Sequence, residues 1–166
     1  MSDNNYFPMV PSFEDTTQYR LLTTDYVETI DVEGREILKI DPEGIALLTA
    51  QGFSDTSHLL RTEHLEQVRK ILDDPEASDN DRFVALDMLK NANIASGRVL
   101  PMCQDTGTAI IMGEKGEQVW VDGNDEAAIS EGVRRTYDTD NLRFSQLAPL
   151  SMYDEVNTGD NLPAQI

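Results

Sequence analysis

The sequence predicts a mixed α/β domain in which helices pack with a small sheet. Three observations carry that prediction. Apolar residues recur at helical spacing in four places, three of them behind recognisable capping residues. Short apolar runs separated by glycine turns, at Glu33-Gly34 and Glu114-Lys115-Gly116, read as strands. Helical segments also precede and follow the second strand pair, so regular βαβ alternation is not expected.

In order along the chain, residues 1–18 read as an extended arm with Pro8 and Pro11, and residues 19–166 as the folded portion. Tyr19-Arg20-Leu21-Leu22-Thr23 has a short strand pattern. Residues 27–40 read as a hairpin turning at Glu33-Gly34, with Ile37, Leu38 and Ile40 on the return. Asp41-Pro42 starts a short helix, a capping side chain followed by proline at the first helical position, with Ile45, Leu48 and Phe53 on its buried face. A second helix is expected over residues 57–72, with Leu60, His64, Val68, Ile71 and Leu72 near helical spacing. The cluster Ser78-Asp79-Asn80-Asp81 caps a third that ends at Gly97 and carries Val84, Leu86, Met88 and Leu89. Residues 108–112 and 118–121 read as a second strand pair. Asp122-Gly123-Asn124 then leads into a fourth helix, where Ile129, Val133 and Tyr137 recur every four residues. From Asn141 the chain reads as irregular or short strand.

Composition narrows the function. The 166 residues carry 13 basic and 31 acidic side chains, a formal charge of −18. That sign disfavours nucleic acid and anionic membranes as partners. No apolar run approaches the roughly 20 residues that span a bilayer. Met1-Ser2-Asp3-Asn4-Asn5 lacks the basic and apolar regions of a signal peptide, so a cytoplasmic location is expected. The chain stops on Ile166 shortly after Pro163, and it is expected to be truncated at that end.

Cys103 is the single cysteine, within Pro101-Met102-Cys103-Gln104-Asp105-Thr106-Gly107. A lone cysteine is most often a small buried hydrophobe. Here it lies between a helix stop and a new strand, followed at once by an amide, a carboxylate and a hydroxyl, where scaffolds place functional loops. A nucleophilic role would need a histidine base, and His58 and His64 are six residues apart on a predicted helix. They do not share a face as metal ligands, and structural roles at the surface or partly buried are expected of them. Asp122, Asn124, Asp125 and Glu126 lack EF-hand spacing and read as helix caps. In Asn141-Leu142-Arg143-Phe144-Ser145-Gln146, Arg143 offers a fork suited to a carboxylate, with a surface ion pair as the even alternative. Only Lys115, Arg134, Arg135 and Arg143 are basic after Cys103, few for a dianionic ligand.

Four blocks in order resemble the N-terminal part of the class I, iron–sulfur fumarate hydratases: residues 74–78, 100–109, 141–146 and 157–166. The resemblance runs from about Tyr19 to Ile166 and implies the N-terminal portion of the alpha-type hydro-lyase domain. It further implies a [4Fe-4S] cluster held by three cysteines, with one iron open to substrate as a Lewis acid. Cys103 matches the first ligand, Gln104 and Asp105 match residues lining the substrate site, and Arg143 matches an arginine that binds a substrate carboxylate. Asp105 is the catalytic candidate in this set. The implied partner is a small dicarboxylic acid, fumarate or malate, in the tricarboxylic acid cycle, and the implied whole is a homodimer. The other two cysteines are absent from this chain, so alone it is expected neither to hold a cluster nor to hydrate fumarate. Two other readings stand beside this one: a non-catalytic binding or regulatory module of the same fold, and a related hydro-lyase acting on tartrate or mesaconate.

Overall fold

In the computed structural model, residues 18–104 and 107–166 are described. Most of the expected arm, residues 1–17, therefore lies outside the described residues. Strands β1 (Val27–Val32) and β2 (Arg35–Ile40) form an antiparallel hairpin in which Val27 pairs with Ile40 and Val32 with Arg35. Its two-residue turn needs positive φ at both positions, and Glu33 (52°) and Gly34 (81°) supply it. The Asp31 carboxylate accepts from the Gly34 amide at 3.1 Å and holds the turn closed.

Helix α1 (Pro42–His58) starts where expected, the Asp41 side chain accepting from the Glu43 amide. It is longer than the sequence suggested and absorbs Ser57 and His58. Helix α2 (Thr62–Lys70) follows, continued by a 3-10 turn at Ile71–Asp73. Helix α3 (Asp79–Ala95) opens on a reciprocal capping box between Ser78 and Asp81. Helix α4 (Asp125–Thr139) is capped by Asn124, which accepts from the Ala127 amide.

Three strand expectations are corrected. Tyr19–Thr23 forms no strand; Arg20 instead ion-pairs with Asp55 on α1 at 2.8 Å. Residues 108–112 do not form a hairpin with 118–121. Strand β3 (Val119–Val121) pairs in parallel with β2, Leu38 opposite Val119, giving the order β1-β2-β3. Ile110 instead makes a single parallel bridge to Gln165. The final irregular stretch contains the expected short strands, β4 (Leu147–Pro149) and β5 (Glu155–Asn157), paired antiparallel.

Small residues decide which helix faces meet. On α1 the residue buried against α4 is Ala46, whereas Leu48 is 62% exposed. On α3 the buried positions are Ala85, Ala92 and Ala95, and Val84, Leu86 and Met88 face outward. The α1–α4 contact is close. A Cβ on Gly132 would sit 2.5 Å from the Ala46 carbonyl oxygen and 2.6 Å from Thr49 Cβ. Thr136, one turn on, is buried and donates to the Ala50 carbonyl at 3.0 Å, crossing the same seam. The hydrophobic core lies on the neighbouring face of the same turns of α4, where Val133 and Tyr137 pack with Ala109 and Leu142. Phe53, Ile111, Phe144, Leu162 and Ala164 close around it, and the Tyr137 and Phe144 rings stack at 6.2 Å.

An ion-pair cluster fastens α4 to the start of α1. Glu131 accepts from Arg134 Nε at 2.9 Å and Arg135 Nε at 2.8 Å, while Arg135 also grips Glu43. The Arg134 hydrogen bonds, then those of Arg135, hold the Glu131 carboxyl at about 2, from an ordinary 4.5. Its folded pKa is depressed, so the unfolded chain binds the extra proton and stability is lost as pH falls from about 4.5 towards 2. Across that window the melting temperature is expected to fall less steeply in Glu131→Gln than in the parent. Because the carboxylate is part-exposed, the difference between the two curves should shrink in added salt. Superimposable slopes at low salt would remove Glu131 from the acid response.

Candidate active site

Two loops meet above the Tyr137 core. The first follows α3. Its backbone is anchored on both sides of Met102: the Met102 amide donates to the Ser57 carbonyl at 2.9 Å, and Asn91 Nδ2 donates to the Met102 carbonyl at 2.9 Å. Cys103 and Gln104 come next and are both exposed. Asp105 lies outside the described residues. The chain is held again at Gly107, and Ala109 enters the core.

The second loop follows α4. Asn141 takes positive φ (55°) at its start, Leu142 is buried, and Arg143 is exposed. Phe144 returns to the core, and Ser145 and Gln146 turn towards the first loop. Ser145 Oγ donates to the Gly107 carbonyl at 3.0 Å, and Gln146 Nε2 donates to Thr108 Oγ1 at 2.7 Å. The loop bearing Cys103 and Gln104 and the loop bearing Arg143 are thus bonded to one another.

The other candidates are elsewhere. Lys115 pairs with Asp125, Arg134 with Glu131 and Asp138, and Arg135 with Glu43 and Glu131. Of the four cations after Cys103, that leaves Arg143 on the site loops. His64 is exposed. His58 is 1% exposed, deeper than the partly buried role expected; its Nδ1 lies 2.8 Å from the Ser54 carbonyl and 4.0 Å from Asp140. It closes the end of α1.

Asn161 escaped the sequence reading. It is 0% exposed, with positive φ (57°), and its side chain lies between the two loops. The signal available was weak: an asparagine before Leu-Pro in a polar, non-helical run, a context in which most asparagines are solvated turns.

The donor set limits what the chain can hold. Cys103 is an exposed thiol outside any disulfide. Among the described residues, no three His, Cys, Asp or Glu side chains gather closely enough to bind a metal ion. The chain offers one ligand position and does not by itself fit a whole cluster. No described helix is long and apolar enough to cross a membrane.

The family model described as fumarate hydratase (Fumerase) matches residues 47–166. Over 162 residues the chain is 57% identical to the aerobic class I fumarate hydratase of Escherichia coli K12, covering 98% of this chain and 30% of that protein. It is 58% identical to the anaerobic class I enzyme of the same strain over 156 residues, 94% of this chain and 28% of that protein. The mitochondrial fumarate hydratase 1 of Leishmania major is 56% identical over 169 residues, 100% of this chain and 31% of that protein. The chain belongs to the class I fumarate hydratase family. It spans about 30% of the length of these relatives.

Proposed function

We propose that this chain forms one wall of the active site of an enzyme that reversibly adds water to fumarate to give malate. The observation that carries the reading is the bonded pair of loops, one bearing Cys103 and Gln104 and the other Arg143, in a chain 57% identical to an enzyme of that name. In this proposal Cys103 is one of three ligands to a [4Fe-4S] cluster, and the other two come from polypeptide outside this chain. The relatives' names favour fumarate over tartrate or mesaconate. A cytoplasmic, homodimeric whole belongs to the same proposal; the single cysteine suits a reducing compartment, and the dimer rests on the family resemblance.

The chain's own residues have separable tasks. Arg143 offers parallel N–H donors to one carboxylate of the dicarboxylic acid, neutralising it in a strongly anionic protein. Gln104 supplies an amide to fix orientation. Asp105, next along the same loop, orients the hydroxyl. In dehydration it passes that hydroxyl a proton so that it leaves as water; in hydration it takes the same proton from the water whose oxygen bonds to the alkene carbon.

The test is Arg143→Lys in the full-length enzyme. Charge is kept and the fork is lost, so KM should rise by roughly 10- to 150-fold, the loss of about 1.5–3 kcal/mol expected for a charged hydrogen bond. Asp105→Asn in the same background should instead lower kcat by on the order of 100-fold. Unchanged constants for Arg143→Lys, with cluster content equal to the parent, would make Arg143 a surface residue and refute the assignment.

A further inference from the structure

We propose that Asn161 is a positioning residue that holds the Cys103 loop and the Arg143 loop in register through its single side-chain amide. Its Oδ1 accepts from the backbone amides of Ser145 at 2.7 Å and Gln146 at 3.2 Å, with Ser145 Oγ at 3.3 Å. Its Nδ2 donates to the Gly107 carbonyl at 3.1 Å. One end of the amide therefore grips the chain two and three residues after Arg143. The other grips it two residues after Asp105. Asn161 is 0% exposed, so either end of its side-chain amide left unpaired there would be costly.

The geometry calls for this residue type. An amide offers an acceptor and a donor at opposite corners of one short planar group, and the two loops present amides on one side and a carbonyl on the other. The backbone sits at φ 57°, where asparagine is among the few side chains tolerated. The neighbours of Asn161 extend the clamp without replacing it. Asn157 Nδ2 donates to the Phe144 carbonyl at 2.9 Å, and the Thr158 amide donates to the Gln146 carbonyl at 3.0 Å. Both hold the Arg143 loop alone. Among these groups Asn161 contacts both loops from a third segment, so it fixes the spacing between them together with the direct Ser145–Gly107 and Gln146–Thr108 bonds. That this spacing matters to substrate rests on the reading of the loops given above.

The chain provides its own probe, because Cys103 is its single cysteine and is exposed. A nitroxide attached there broadens the amide resonances of nearby residues in a distance-dependent way. In the parent chain the Phe144, Ser145 and Gln146 amides should be strongly relaxed, and so should Ser57 and His58, beside which Met102 is anchored. In Asn161→Ala the relaxation at residues 144–146 should fall at least twofold while that at residues 57–58 stays the same. A merely structural asparagine would change both sets together or neither, and either result overturns the proposal. Should Asn161→Ala not fold, Asn161→Asp decides. It keeps the acceptor for Ser145 and Gln146, so those amides should stay protected from hydrogen exchange. It replaces the donor to Gly107 with a repelling oxygen, so relaxation from Cys103 should still fall; unchanged relaxation refutes the clamp. Kinetics of Asn161→Asp in the full-length enzyme test the other reading separately. Loosened loops with parental KM and kcat would leave Asn161 as the clamp and remove the loops from the substrate site.

Discussion

Gly132→Val is expected to lower the melting temperature of the chain by roughly 10 °C, the largest stability loss of any single substitution considered. The cause is contact, not glycine chemistry in general. The added Cβ meets a main-chain oxygen at 2.5 Å and Thr49 Cβ at 2.6 Å, and a backbone carbonyl inside a helix cannot swing aside. The helices must separate, which also stretches the Thr136 bond to Ala50 and uncovers Ala46. Overpacking of this kind costs about 1–3 kcal/mol, with the branched side chain at the upper end. At about 2–4 °C per kcal/mol for a chain of this size, that gives the stated shift. Gly52 lies on α1, and a Cβ there meets nothing within 4 Å. Gly52→Ala should therefore raise the midpoint slightly, by about 0.5–1 kcal/mol of helix propensity. Thermal denaturation of the two variants side by side checks both signs, and equal midpoints would dismiss the seam.

Cys103→Ser in the full-length enzyme is expected to abolish fumarate hydration through loss of the cluster while leaving the fold unchanged. A hydroxyl is a poor ligand for a soft iron site, and because Cys103 is exposed on a loop its sulfur contributes nothing to the core. Visible absorbance should disappear with activity, and the melting curve of the 166-residue chain should not move. The same argument predicts that this chain alone, reconstituted anaerobically, retains no stoichiometric cluster after gel filtration. Near-parental turnover in the serine variant would return Cys103 to an ordinary structural role.

What the sequence made legible was local. Asp41-Pro42, Ser78 with Asp81, Asn124 and the Glu33-Gly34 turn each act on backbone groups within three residues, and every one formed where expected. The buried faces were harder to read. Large aliphatics such as Leu48 on α1 and Met88 on α3 marked the expected interior, but alanines are buried on α3. At the Gly132 crossing, α1 and α4 approach so closely that alanine, glycine and threonine fill the seam. Strand 119–121 chose a parallel partner far back in the chain over its near neighbour, a choice no local pattern encodes. The site divides in the same way. Cys103 and Arg143 stood out by residue type and by resemblance. The bonds that bring their loops together run from Gly107 to Asn161 and from Thr108 to Gln146, and periodicity carries no trace of them.

The parallel pairing of β2 with β3 also sets an order of events during folding. The β1–β2 hairpin closes through a two-residue turn, so it can form as soon as those residues leave the ribosome. Leu38 must then wait for Val119, with three helices and the Cys103 loop synthesised between them. Closing so long a loop is entropically costly and slow. Until then β2 presents an open edge to other chains. Its sequence guards that edge: Arg35, Glu36 and Lys39 interrupt the aliphatic residues, and charged side chains on an unpaired strand discourage a stranger from adding to it.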